Sequence, residues 1–269
     1  MMLTPASGVT IISVTKNDLK GIRRTVESIK EQDFTAWNLA IVVSSASDSS
    51  LDYVRQLSEA NENIQFLIPD SLGIYQGMNF ALDKLMPNLT WFLNGGDVFE
   101  NKSALSIAHK NMVEYKPSIL IGGYAIVEGG TRRVFSRNKS EINARRFSLN
   151  IRSGNHQAML FDLSGDKKVK FDVDLELAAD FLLVLERLTH KHALRIPEVL
   201  VEVEPGGVSS TYIEKVWAEK QFARRKVFGR FSVDYALGSL WTRGVRLKRI
   251  ARICFSRTKS TRYDRGSKL

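Results

Sequence analysis

Gly73-Ile74-Tyr75-Gln76-Gly77-Met78-Asn79, followed after a short gap by Trp91-Phe92-Leu93-Asn94-Gly95-Gly96-Asp97-Val98-Phe99, is the passage on which the fold turns. In the first segment a glycine precedes Ile74, Met78, Ala81, Leu82 and Leu85, which share one face at helical spacing. The second is a short apolar strand that stops abruptly at a carboxylate. In open α/β sheets the crevice beyond the carboxyl ends of the strands receives the ligand, so a lone Asp97 emerging after two glycines can approach a metal or a phosphate. Read in isolation, the same residues also spell a polar turn capped by an Asn or Asp.

Outward from this passage the chain alternates strand and helix, which predicts an α/β fold with parallel βαβ units. Val9 to Val14 and Leu39 to Val43 read as buried β-branched strands, with a helix between them marked by Leu19, Ile22, Val26 and Ile29 and capped by Asn17 or Asp18. Leu51, Val54 and Leu57 predict a second helix, Ile64 to Ile68 a strand, Gly73 to Leu85 a helix and Trp91 to Leu93 a strand. Beyond Asp97, a helix over Ser103 to Tyr115 leads to a strand over Ile119 to Ile126, which Arg132 to Phe135 joins across the Gly129-Gly130 turn. Leu175 to Leu188 reads as a helix and Leu194 to Val203 as a strand, and the loop from Pro205 to Ser210 then separates a core of residues 1–210 from a tail of residues 211–269.

Charge divides at the same loop. Residues 1–210 hold 23 Lys plus Arg against 25 Asp plus Glu, whereas residues 211–269 hold 16 against 4, so the whole basic excess is C-terminal. Leu247, Ile250, Ala251 and Cys254 follow amphipathic spacing, with Arg246, Lys248, Arg249 and Arg252 projecting from the other side and Trp241 and Phe255 nearby. Such a helix can lie on an anionic membrane, and this is the expected role of residues 241–257; packing of the apolar stripe on the core is the alternative. A single cysteine, Cys254, excludes an intramolecular disulfide framework and suits a reducing compartment. No apolar run approaches the roughly 18 to 20 residues needed to span a bilayer, and the first seven residues do not read as a leader, so a cytoplasmic, peripheral location is expected. There is no zinc-binding Cys/His pattern and no internal repeat.

Five segments, in order, carry a resemblance. Val9-Thr10-Ile11-Ile12-Ser13-Val14-Thr15-Lys16-Asn17, Gly73 to Asn79, Asn94 to Asp97, His156-Gln157-Ala158-Met159-Leu160-Phe161, and Leu177-Ala178-Ala179-Asp180-Phe181 resemble the motifs of family 2 glycosyltransferases with the GT-A fold, in particular bacterial enzymes that build surface polysaccharides. The resemblance spans roughly residues 8–210 and rests on the order and spacing of short motifs. It implies a mixed sheet flanked by helices and a nucleotide-diphospho-sugar donor. It also implies nucleotide-sugar contacts at Thr15, Asn17, Gly73, Tyr75, Asn79, Asn94, Gly95 and Gly96. Asp97 would stand in the place of the family's Asp-x-Asp motif and hold Mg²⁺ or Mn²⁺ against the diphosphate. His156 and Gln157 would belong to the acceptor-side strand, and Asp180 would be the catalytic base.

The chain also departs from the family pattern. Where relatives have an Asp that reads the base, it has Val42-Val43-Ser44-Ser45, with Asp48 only later; before Asp97 it offers Asn94, Gly95 and Gly96 rather than further carboxylates; and Gln76 and Ser71 stand where relatives have Asp. One carboxylate is chemically adequate, because Mg²⁺ is commonly held by one or two carboxylates together with substrate phosphates.

The implied chemistry is displacement at an anomeric carbon, in which a base activates the acceptor hydroxyl while positive charge stabilises the departing diphosphate. Asp180 is the lone acid in the apolar run Leu177 to Leu185, where desolvation is expected to raise its pKa. A solvated helix face is the plain alternative, with Asp174 and Glu176 as the nearest substitutes. His156 reads equally as a satisfied core histidine. The Gly206-Gly207 loop, with Ser209 as a donor, would close over the diphosphate or serve only as a hinge. The leading expectation is an inverting transferase extending a polysaccharide or lipid-linked oligosaccharide at the cytoplasmic membrane face. A scaffold of the same fold that has lost turnover is the second. A nucleic-acid binder using the basic tail is the third, disfavoured by the absence of a nucleic-acid-reading motif.

Overall fold

The computed structural model describes residues 8–240 apart from 71–72, 150–153, 167, 207–210, 231, 234 and 237–239. Ser209 and the basic stretch 241–257 therefore lie outside the described residues.

The first half follows the predicted alternation: β1 (Val9–Thr15), α1 (Leu19–Lys30), β2 (Trp37–Val43), α2 (Leu51–Ala60), β3 (Ile64–Leu67), α3 (Ile74–Leu85) and β4 (Leu89–Phe92). Then come β5 (Val98–Phe99), α4 (Ala104–Tyr115), β6 (Ile119–Glu128), β7 (Thr131–Phe135), β8 (Ser140–Ile142), α5 (Ala144–Leu149), β9 (Met159–Asp162), α6 (Ala179–Leu188), β10 (Ala193–Val203) and α7 (Ile213–Phe228). Among the described residues the strands form one mixed sheet in the order β3-β2-β1-β4-β9-β6-β10-β5, with β7 on β6 and β8 on β10. β1 to β4 pair in parallel, β9 runs antiparallel to β4 and β6, and β10 runs parallel to β6.

Two-residue periodicity sorts the strands' side chains onto the two faces. Ile11, Leu39, Ile41, Trp91 and Leu160 pack beneath α1, α2 and α4. Their neighbours Ile12, Val42, Phe92, Met159 and Phe161 pack beneath α3, α5, α6 and α7. Full burial of each such apolar side chain is worth roughly 1.5–3 kcal/mol before entropy is counted, so a strand flanked on both faces is mostly apolar, as β1, β2 and β4 are.

Two sequence expectations need correction. His156–Ala158 is a 3-10 turn rather than the start of a strand, because the Asn155 side chain accepts the Gln157 N–H and caps it. The helix expected from Leu175 begins at Ala179, because the backbone N–H groups of Glu176, Leu177 and Ala178 turn away to the Glu219 carboxylate of α7. α7, which opens the basic segment, packs against α6 and buries Ala223 and Arg224.

This topology brings one end of several strands together. The carboxyl ends of β1, β2 and β4 share an edge. The amino end of the antiparallel β9 faces the carboxyl end of β4, and the carboxyl end of β10 meets β5. Loops from five strands thus converge at one crevice.

Candidate active site

The first wall of the crevice is the loop after β1. Asn17 adopts φ 51°, its N–H donates to Asp48 Oδ2 at 2.8 Å, and its side-chain oxygen accepts the Ser49 N–H at 3.2 Å. Asp48 also accepts from Ser44 Oγ and from the N–H and hydroxyl of Ser50. Burial pushes its carboxyl up, but the bonds from Ser50, Asn17 and Ser44 outweigh burial and hold it below the ordinary range. Asp48 is thus an ionised tie between the β1 and β2 loops.

The second wall is the turn from Asn94 to Asp97. The Gly95 N–H donates to the Val14 carbonyl at 3.0 Å, and a Cβ on Gly95 would lie 3.2 Å from Thr15 Oγ1, so the turn hugs β1. Gly96 has φ 97°, a conformation that favours glycine, and a Cβ there would stand 2.1 Å from Glu204 Oε2, which would have to swing aside. Thr25 of α1 clasps the turn, its hydroxyl accepting the Gly96 N–H at 3.0 Å and donating to the Asp97 carbonyl at 2.7 Å. The Asp97 side chain is buried and accepts the Glu204 N–H at 2.8 Å. Its carboxyl is pushed up to about 7, chiefly by burial and further by the Glu204 carboxylate, against the lowering influence of the Glu204 N–H, His156 and Arg24. Asn94 Oδ1 is buried with no hydrogen-bond partner.

The third wall carries Asp180 in the first turn of α6. Its Oδ1 accepts the Tyr75 hydroxyl at 3.2 Å, and its Oδ2 lies 3.1 Å from His156 Nδ1. Burial is the largest influence on this carboxyl and pushes it up, but the hydrogen bond from His156, the charge of Lys220 and the Phe181 N–H together hold it below the ordinary range. The outcome is opposite to the rise expected from the apolar run, because the sequence neighbours of Asp180 are apolar while its spatial neighbours are polar. Tyr75, held well above its ordinary value by burial and by Asp180, stays a donor and stacks on Phe171. Asn79 clamps Phe171 by donating to its carbonyl and accepting its N–H, at 2.9 and 2.8 Å. Gly73, at φ 133°, precedes the first turn of α3, with the Gln76 side chain folded over it.

Gln157 connects the second and third walls. Its Oε1 accepts the Asn94 N–H at 2.8 Å, which orients the amide so that Nε2 donates to His156 Nε2 at 3.1 Å. His156 Nδ1–H is then the donor to Asp180. A continuous polar chain therefore runs from Asp180 through His156 and Gln157 to the Asn94–Asp97 turn. Thr15, Asn17, Asn94, Gly95, Gly96 and Asp97 gather at the first two walls, and Gly73, Tyr75, Asn79, His156, Gln157 and Asp180 at the third.

Sequence reasoning missed three participants. Glu204 stands at the end of β10, and the strand-end rule that singled out Asp97 applies to it equally. Lys220 of α7 acts electrostatically on Asp180 and lies 4.9 Å from the Phe181 ring, its own pKa lowered by burial. Glu219 anchors the approach to α6. Pooled into a basic tail, both α7 residues carried no local signal.

Among the described residues no three His, Cys, Asp or Glu side chains gather as a ready-made metal cage. Asp97, the neighbouring Glu204 carboxylate and the orphaned Asn94 Oδ1 are oxygen donors suited to a hard cation that arrives with phosphate oxygens of its own.

A sequence profile described as "Glycosyl transferase family 2" matches residues 10–166, more than half of the chain. An uncharacterized glycosyltransferase of Mycobacterium tuberculosis is 28% identical over 212 residues, covering 77% of this chain and 79% of that protein. Among solved structures, S. aureus TarS 1-349 in complex with UDP superposes with a TM-score of 0.65 at 18% identity, over 82% of this chain and 66% of that one. This chain thus spans just under two thirds of that structure. The UDP-GlcNAc complex of TarS gives a TM-score of 0.69 at 16% identity, over 86% and 69% of the two chains. The mannosyltransferase PcManGT of Pyrobaculum calidifontis, in complex with GDP-Man and Mn²⁺, gives 0.59 at 14% identity, over 96% and 83%. With this profile match and this sheet, the chain belongs to glycosyl transferase family 2 and is a glycosyltransferase of the GT-A fold.

Proposed function

We propose that the protein transfers a sugar, with inversion, from a nucleotide-diphospho-sugar to a hydroxyl of a polysaccharide or lipid-linked oligosaccharide at the cytoplasmic face of the membrane. The observation that carries the reading is the polar chain from Asp180 to the Asn94–Asp97 turn, which couples an ionised carboxylate to a glycine turn at the strand ends. Asp180 takes the proton of the acceptor hydroxyl. That oxygen attacks the anomeric carbon from the face opposite the diphosphate, the bond from that carbon to the diphosphate breaks, and the nucleoside diphosphate leaves with the electron pair. His156, donating from Nδ1, and Tyr75, donating from its hydroxyl, orient Asp180 and keep it ionised.

Thr15, Asn17, Gly95 and Gly96 form the nucleotide side of the crevice in this reading, and Gly73, Tyr75 and Asn79 the sugar side. Asp97 holds Mg²⁺ or Mn²⁺, with Asn94 and Glu204 supplying further oxygens; the cation, when bound, offsets charge on the leaving diphosphate. Structures of the same fold solved with UDP, UDP-GlcNAc, and GDP-Man with Mn²⁺ support this class of donor. Ser209 as a diphosphate donor and residues 241–257 as a contact for anionic lipid rest on the sequence alone. Among the described residues no helix is long and apolar enough to cross a membrane.

Release of nucleoside diphosphate from a panel of nucleotide-sugars, with and without Mn²⁺, tests the reading. Asp180→Asn should lower kcat by about 10²- to 10⁴-fold, the usual worth of a general base, while the thermal shift produced by the donor is retained. A protein that binds donors but turns none over, and in which Asp180→Asn changes nothing, would be the scaffold instead.

A further inference from the structure

A second group of polar residues lies outside the polar chain described above. β6, β7 and β10 enclose a cavity of about 200 Å³ lined by Gly122, Tyr124, Ser136, Arg137, Gly154 and Arg195, among others. Neither Asp97 nor Asp180 lines it. It exists because β10 slips register against β6 between Arg195 and Val199, around Pro197, which has no N–H to give to the ladder.

Arg195 is 8% exposed, and its Nη2 is buried without a hydrogen-bond partner. No carboxylate among the described residues pairs with it. The charge that acts on it is that of Arg137, of the same sign, and burial together with Arg137 lowers its pKa. Arg137 is exposed and likewise makes no ion pair with a described residue. Two adjacent guanidiniums, one desolvated and neither compensated, are costly unless an anion joins them. The planar fork of Arg matches the oxygens of phosphate and carboxylate.

We propose that this cavity is an anion subsite, in which Arg195 and Arg137 take a phosphoryl or carboxylate group. Its volume is below the roughly 300–1,000 Å³ typical of pockets that enclose drug-sized ligands, so it suits a small anion or a terminal anionic group rather than a whole nucleotide-sugar. The 3-10 turn bearing His156 touches both β6 and β10, and Gly154, two residues before His156, lines the cavity. Alternation along β10 also puts Arg195 on the sheet face of Ala193, the face on which α6 and Asp180 sit. The subsite is therefore on the acceptor side of the reaction proposed above, although its existence does not depend on that reading.

Titration of the purified protein with inorganic phosphate at constant ionic strength, followed by melting temperature, is the first test. The wild type should be stabilised in a saturable way. Arg137→Ala should weaken the apparent affinity at least threefold and Arg195→Met at least tenfold. Arg133→Ala, which removes a cation paired with Glu128 on the same hairpin, should respond like wild type. No saturable response in the wild type, or an undiminished response in Arg137→Ala, overturns the proposal; Arg137 is exposed, so this arm survives even if Arg195→Met fails to fold. Transfer assays then separate the sources of the anion. A loss confined to phosphorylated or carboxylated acceptors in Arg137→Ala identifies an acceptor-borne group. A rate toward neutral acceptors that responds to free phosphate, and loses that response in Arg137→Ala, identifies a free anion.

Discussion

Asp97 and Asp180 are both acids in apolar sequence surroundings, yet their environments drive them apart. Asp180 has His156, Tyr75 and Lys220 around it and is held ionised. Asp97 accepts one backbone N–H, faces the Glu204 carboxylate and is pushed up to about 7. With Asp180 as the proposed base, the consequence is an acidic limb of kcat/KM below the ordinary carboxylate range. His156→Ala removes the strongest influence opposing burial, so that limb should move to higher pH, as a pH–rate profile would show; an unmoved limb would mean that His156 does not set the base. For Asp97 the consequence is a linkage. Below its unfolded value of 3.8 both states hold the proton; between 3.8 and about 7 only the folded state does, so its contribution to stability falls as pH rises and is flat above that window. In the absence of divalent cation, Asp97→Asn should therefore gain stability over wild type at pH 8, by roughly 2–4 kcal/mol, and lose that gain toward pH 4. Denaturant melts at the two pH values measure the difference, and equal gains at both would refute the assignment. The sequence made Asp97 visible because it ends an apolar strand. It could not give the direction of either shift, which depends on the burial that the fold imposes on both carboxyls and on His156 and Lys220 reaching Asp180 from distant parts of the chain.

At the scale of elements, periodicity was a good guide wherever both faces of a strand are covered. Ile11 and Ile12, or Trp91 and Phe92, belong to opposite cores, so β1 and β4 were legible from adjacent large apolar residues rather than from alternation. Short elements that exist through tertiary pairing were not legible. β8 is three residues long and forms on β10, β5 is two residues long and also forms on β10, and the turn at His156 owes its shape to Asn155. The start of α6 was misread for the same reason, since its preceding N–H groups are satisfied by Glu219 from α7 at 3.3, 2.8 and 2.9 Å. A carboxylate taking three backbone N–H groups at a helix N-terminus is both a charge-assisted acceptor and a complement to the helix dipole. Glu219→Ala strands those donors and should cost about 2–4 kcal/mol, whereas Glu219→Gln, which keeps one acceptor oxygen, should cost less than half as much. Because α6 carries Asp180, kcat should fall in Glu219→Ala with little change in donor affinity. Urea melts and a KM-against-kcat comparison check this, and a loss confined to donor binding would contradict it.

The whole molecule keeps its charge separated along the chain, near neutral over residues 1–210 and strongly basic over residues 211–269. The basic segment has two parts with different physics. Its first helix, α7, buries Ala223 and Arg224 and supplies Glu219 and Lys220 to the neighbourhood of Asp180, so its interactions are with the body of the protein. Arg224 donates from Nε and Nη2 to the Ser148 carbonyl, at 3.2 and 2.8 Å, which ties α7 to α5 as well as α6. Residues 241–257 combine Arg and Lys with an apolar stripe, and their proposed partner is an anionic membrane. Truncation separates the two. Removal of residues 241–269 should leave the melting temperature and the response to nucleotide-sugar unchanged while abolishing sedimentation with vesicles rich in anionic lipid. The full chain should bind such vesicles and release them as salt rises, because attraction between basic side chains and lipid headgroups is screened beyond a Debye length of about 8 Å at 0.15 M. Removal from residue 211 onward should instead destabilise the fold, since it strips the N–H groups before α6 of their acceptor and uncovers the α6 face. If the shorter truncation lost donor binding, or the full chain ignored anionic vesicles at low salt, the tail would have to be read as a packed part of the enzyme.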